Sequence, residues 1–228
     1  MKNKGAVLFI VLVNFLFSGF SCPSSNDKPS VVTSQNNSRQ VELNEKQLKI
    51  VQGAKKCLAD KFKYDLSMAY HVLTYENGFN TGKKVFPNGD LAPDIGVCTD
   101  VSVRGLRYFL ELDLQKEINE DASNDFKSYP MKRWNAKKPD SNIDHRRVPN
   151  QEVWFNKYWE NVTGKEYMPG DIITWDMNED GWSDHMGIIS DVNENGKYKV
   201  IHNFPDPGYV AEEDVITEWK IANVFRVK

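Results

Sequence analysis

Gly96-Val97-Cys98-Thr99-Asp100 is the stretch on which the reading of the fold turns. Before it, between Thr81 and Gly96, lie Gly82, Pro87, Gly89 and Pro93, the composition of a loop. After it, Val101, Gly105, Leu106, Phe109 and Leu110 recur at helical spacing, so a helix starts near Cys98 with those residues facing inward. A thiol at a helix start lies near the positive end of the helix dipole, which favours thiolate and nucleophilicity. Downstream, His185 opens one apolar run and His202 closes the next. Two histidines on strand-like segments, following a helix-borne thiol, supply a general base and a group to orient it.

Working outward, Asn44 with Gln47 three residues later resembles a capping box, and Leu48, Val51, Ala54, Leu58 and Phe62 follow at helical spacing. Leu114, Ile118 and Phe126 predict a short third helix. Asn150 is placed to cap a fourth that carries Val153, Trp154 and Tyr158. Between them, Tyr129 to Arg147 is polar, basic and loop-like. The last third changes period: Ile172 to Trp175, Met186 to Val192, Tyr198 to His202 and Asn223 to Val227 read as strands, with Asn195-Gly196 as a hairpin turn. Helices first and an antiparallel sheet afterwards is an α+β plan.

The N-terminus reads as a targeting segment. Lys2 and Lys4 precede an apolar run from Ala6 to Phe17 and the small residues Ser18, Gly19 and Ser21. Cys22 follows directly and resembles the lipidation site of bacterial lipoproteins, although Gly19 stands where such sites carry leucine. The alternative is an ordinary secretory signal cut nearby. Residues 1–22 are thus the expected signal peptide, 23–40 a Ser/Asn/Pro/Gln-rich tether, and 41–228 one hydrolase domain. The expected place is the cell envelope, anchored to a membrane if Cys22 is lipidated. A net charge of −3 argues against a nucleic-acid surface. Three cysteines make no disulfide framework, yet Cys57 and Cys98 are free to pair with each other.

A helix-borne cysteine packed on a sheet that presents histidines is the layout of papain-like hydrolases. Pro169-Gly170-Asp171-Ile172-Ile173 and His185-Met186-Gly187-Ile188-Ile189 resemble the sheet of the NlpC-type cell-wall peptidases. More closely, the chain resembles the domain of unknown function 1287 family, grouped with them. Asn88-Gly89-Asp90, Gly96 to Asp100 with Arg104, Pro139 to Asn150, Asp184 to Gly187, His202-Asn203 and Trp219-Lys220-Ile221 carry that resemblance. It implies a papain-like fold with a Cys-His-polar site, no cofactor, and a peptide or peptidoglycan fragment as substrate.

On this reading Cys98 is the nucleophile, His185 the general base and His202 the residue that orients it. Asn203 competes for the third place, but adjacent strand residues point to opposite faces, so only one of the two can serve. Asp100 is expected to cap the Cys98 helix, and Asp184 to fix a loop. Arg104 either pairs with Asp100 or faces a substrate carboxylate. Asp144, His145, Arg146 and Arg147 form a polar cluster that either binds an anionic group of the substrate or is paired within itself. Trp134, Trp154, Trp175 and Trp182 either line a groove or fill the core. Two further functions share the cleft: a non-catalytic module that binds a wall peptide, and an acyltransferase. A zinc site from Cys98, His185, His202 and a carboxylate lacks any local ligand spacing.

Overall fold

The computed structural model describes residues 42–228. The expected signal peptide, Cys22 and the tether lie outside the described residues. Helix α1 (Glu45–Asp60) starts at the capping box read from the sequence: Asn44 Oδ1 accepts from the Gln47 N–H at 2.8 Å, and Gln47 Oε1 accepts from the Asn44 N–H at 3.1 Å. Helix α1 then packs along α2 (Cys98–Leu110). The two axes approach so closely that a Cβ on Gly53 would stand 1.9 Å from the Gly105 carbonyl oxygen, so the crossing needs a bare backbone there. Short pairs lie between them: β1 (Lys63–Tyr64) runs parallel to β4 (Ile95–Gly96), and β2 (Tyr75–Glu76) forms a hairpin with β3 (Phe79–Asn80).

Helix α3 (Leu114–Asn124) buries Leu114 and Ile118. Helix α4 (Val148–Tyr158) begins earlier than the sequence suggests. Arg147 is its N-cap, Pro149 occupies its first turn, and Asn150 lies inside the helix, donating back to the Asp144 carbonyl at 2.9 Å. Phe109, expected to face inward, is exposed, while its neighbour Leu110 packs against the core.

The sheet has the order β5-β10-β6-β7-β8-β9. Its strands are β5 (Glu160–Asn161), β6 (Ile172–Trp175), β7 (His185–Glu194), β8 (Lys197–Asn203), β9 (Val210–Glu213) and β10 (Ile221–Arg226), all paired antiparallel. Strand β9 is absent from the sequence reading. The α+β plan is the observed one. Side chains alternate along β7: Met186 and Ile188 join Ile201 and the helices in one core, while Ile189 joins Ile173, Trp175, Val200 and Val224 on the other face.

Candidate active site

Cys98 is the first residue of α2, half-buried, and its side chain is free rather than bonded to Cys57. Cys57 is fully buried on α1, with its thiol toward the Val101 carbonyl at 3.7 Å. The loop before Cys98 is fixed to the sheet by Asn203, whose Nδ2 donates to the Gly96 carbonyl at 3.3 Å. Asp100 caps the helix through the Val97 N–H at 2.7 Å.

Across the sheet, Trp175 stands opposite His185, and the two rings stack at 5.3 Å. Phe204 and Trp219 enclose the imidazole from two further sides. His185 Nε2 and His202 Nδ1 are 2.9 Å apart, and His202 Nε2 is 3.1 Å from Glu213 Oε2. These contacts fix the tautomers. The Glu213 carboxylate only accepts, so His202 carries its proton on Nε2 and accepts at Nδ1. His185 therefore donates from Nε2, which leaves its Nδ1 as the basic nitrogen. Gly187 makes room for this: a Cβ there would lie 2.5 Å from Val200 Cγ1 and 3.1 Å from His202 Cβ.

The register of β7 on β8 decides which residues meet. From the hairpin tip, Asn193 pairs Tyr198, yet deeper in the sheet Ile189 pairs Val200 and Ile188 pairs Ile201. Two extra β7 residues are absorbed between them as a bulge. Continuing the deeper register puts Gly187 opposite His202, so His202 is the diagonal neighbour of His185. Asn203, on the opposite face, meets Gly96 instead.

The electrostatics differ from those expected of a helix-start thiol. Burial pushes the Cys98 thiol up to about 12, and the Asp100 carboxylate acts in the same direction. The backbone N–H groups of Met186 and Thr99, and the Arg146 charge, oppose this and are outweighed. Burial takes His185 down to about 3, with His202 adding to the effect. Burial lowers His202 as well, against the pull of Glu213. The resting pair is a neutral thiol and a neutral imidazole, and among the described residues no hydrogen bond joins Cys98 to His185.

The polar residues expected at the substrate divide sharply. Arg104 is buried and held by Asp90, with Nη2 2.8 Å from Oδ1, so it pairs neither with Asp100 nor with anything in the cleft. Arg146 grips Asp100 with both Nε and Nη2 at 3.0 Å, and its Nη1 donates to the Met68 carbonyl at 2.7 Å. Burial alone would raise Asp100, but the Arg146 guanidinium outweighs it and holds the carboxyl below its ordinary range. Asp144 is buried and bonded to the Asp140 N–H and to Arg147. His145 is buried with both ring nitrogens unpartnered. Of the four clustered residues only Arg147 keeps a surface toward solvent, lying 4.1 Å over the Trp134 ring.

Cys98 opens into a cavity of about 420 Å³ walled by Tyr64, Tyr70, Trp134, Arg147, Pro149 and Ser183 among others. Trp134 lines it, Trp182 lines the neighbouring cavity, and Trp154 and Trp175 are core. Asp184 fixes a loop through the Met177 N–H at 3.1 Å. Among the described residues no three His, Cys, Asp or Glu side chains converge as a metal ion requires. Sequence reasoning missed Glu213, because β9 was not recognised as a strand.

Residues 53–227 match the family model described as domain of unknown function (DUF1287). The Escherichia coli protein named "Uncharacterized protein YijF" is 37% identical over 231 residues, spanning 99% of this chain and 98% of its own. Two crystal structures of an N-acetylmuramoyl-L-alanine amidase from Bacteroides uniformis align over 81% of this chain and 100% of theirs. Their TM-scores are 0.49 and 0.48, with 16% and 14% sequence identity. With most of its length under the family model and a relative matched end to end, the chain belongs to the DUF1287 family.

Proposed function

We propose that this protein is an exported, papain-like cysteine hydrolase of the cell envelope that cleaves an amide or peptide bond in peptidoglycan stem peptides. One observation carries the reading. The Glu213-His202-His185 chain ends at the first residue of β7, where the adjacent Met186 packs in the same core as Cys98. The His185 ring stands on the other sheet face, with Trp175, so the reaction asks it to reach the thiol around the strand end. In the reaction His185 Nδ1 takes the thiol proton as sulfur attacks the substrate carbonyl carbon. The oxyanion is held by the Cys98 N–H, which has no intrahelical acceptor at the helix start. His185 returns the proton to the leaving nitrogen, the C–N bond breaks, and a thioester remains. Water, deprotonated by His185, then releases the acid and regenerates the thiol. His202 and Glu213 hold the base in its working tautomer. Lipidation at Cys22 would hold the enzyme at a membrane.

Soluble peptidoglycan fragments incubated with the domain, followed by mass spectrometry, test this. Expected are a new amine and carboxylate from the wild type, and neither from Cys98→Ala or His185→Ala. Intact fragments and no acyl adduct on Cys98 would sink the hydrolase. The raised thiol and its lack of a hydrogen bond to His185 favour a second reading, a binding module for wall peptides, which that result would leave in front. An acyltransferase uses the same thioester with an amine in place of water, and its product carries a new amide.

A further inference from the structure

Three cavities run together across Cys98. The Cys98 cavity shares Pro149 and Ser183 with a cavity of about 620 Å³, and shares Tyr70, Trp134, Ile143 and Arg147 with one of about 660 Å³ on the other side. The two outer arms differ in charge. The larger is rimmed by Lys84, Lys137 and Lys138, which have no ion-pair partner among the described residues. Its carboxylates are engaged locally: Asp140 by Tyr70 and the Asn142 N–H, Asp144 by the Asp140 N–H and Arg147.

The other arm contains Glu152. Its Oε1 accepts from Thr174 Oγ1 at 2.5 Å, Ser183 Oγ at 2.6 Å and Asn223 Nδ2 at 3.0 Å. Three neutral donors on β6, β10 and the loop before β7 thus fix one carboxylate oxygen, while no cation neutralises the group. Asp176, in the same arm, is served by the Asp180 and Gly181 N–H groups and by Lys220. Lys220 is therefore committed elsewhere, and Lys127, which also lines this arm, makes no ion pair or hydrogen bond with Glu152. A carboxylate pinned through one oxygen, with the other unengaged and no counter-charge, is a receptor for a cationic donor. Ser183 touches both Glu152 and the Cys98 cavity, so that donor would belong to the molecule lying over the thiol.

We infer that Glu152 reads a primary ammonium on the peptide bound across Cys98, making it a specificity-determining residue. The ammonium is either the free amino terminus or the side-chain amine of a diamino residue. The inference rests on the proposal that Cys98 attacks a peptide. The lysine arm opposite gives the groove a direction, with the ammonium end toward Glu152.

The test uses the tripeptide L-Ala-γ-D-Glu-L-Lys, free, acetylated at its amino terminus, or acetylated at its lysine side chain. Binding to the Cys98→Ala domain is measured by calorimetry, with and without Glu152→Gln, and cleavage is followed with Cys98 intact. Glutamine keeps the oxygen that the three donors need. Expected is a loss of about tenfold to a hundredfold on Glu152→Gln. Acetylation of one of the two amines should cost as much in the Cys98→Ala protein and nothing further with Glu152→Gln. Equal binding of that acetylated peptide by both proteins would show the cavity intact. Binding or cleavage indifferent to Glu152 and to both acetylations overturns the inference and spares the hydrolase. Glu152-dependent binding without cleavage keeps it and removes the hydrolase. No binding and no cleavage overturns both.

Discussion

At the residue scale, the helix start and the burial of Cys98 act against each other, and burial wins. Helix-terminal fields contribute roughly 0.3–1 kcal/mol when exposed, whereas a thiol pushed up to about 12 is protonated at any ordinary pH. Alkylation of Cys98 by iodoacetamide should therefore be slow at about pH 7 and rise about tenfold per pH unit to at least about pH 10. A rate already level below about pH 8 would mean a preformed thiolate and contradict the geometry described. On the proposed mechanism, proton transfer to His185 belongs to the substrate complex, where the carbonyl displaces what surrounds the resting thiol. The low pKa of His185 keeps Nδ1 unprotonated across the physiological range but makes it a weak acceptor, so the role requires the bound substrate to raise it.

At the element scale, the 3-10 turn Asp144–Arg146 braces the start of α2. Arg146 links Asp100, in the first turn of α2, to the Met68 carbonyl. Arg146→Met leaves the Asp100 carboxylate buried and uncompensated. We expect a loss of about 3–5 kcal/mol in urea unfolding, largely recovered in an Asp100→Asn, Arg146→Met double variant. Equal losses in single and double variants would show that the pair is not the source. This turn also marks where the sequence stopped being legible. The capping box of α1, the start of α2 and the longer helix and strand stripes are local signals and were readable. Asp144 and Arg146 read as part of a cluster either binding a substrate anion or paired within itself, because the Asp100 that holds Arg146 belongs to a different helix. Strand β9, Val210–Glu213, carries one buried apolar residue and so has no period to detect. The helix start at Cys98 and the strand positions of His185 and His202 were legible, whereas the contact of Glu213 with His202 needed the register of β9 on β8.

At the scale of the whole molecule, two imidazoles are held neutral by burial: His145 and His185, both lowered to about 3 from an ordinary 6.5. For such groups the unfolded chain binds protons first. Their contribution is complete above about pH 6.5 and is lost as pH falls toward about 3. The urea midpoint should drop between about pH 7 and pH 4.5, and His145→Leu should flatten that drop without touching the site. An unchanged wild-type midpoint over that interval would mean that neither ring is buried as described. The same burial that makes the domain acid-sensitive holds the base neutral.

The bulge in β7 has a further use. Because the two surplus residues lie between Ile189 and Asn193, the register at the histidines is set by the core pairs Ile188–Ile201 and Ile189–Val200 and not by the Asn195-Gly196 turn. Removing Asp191 and Val192 would merge the two registers into one regular hairpin with Ile189 still opposite Val200. The tip is thus a handle that can be shortened or lengthened in steps of two, a place to graft a label or an affinity segment without moving the two paired histidines.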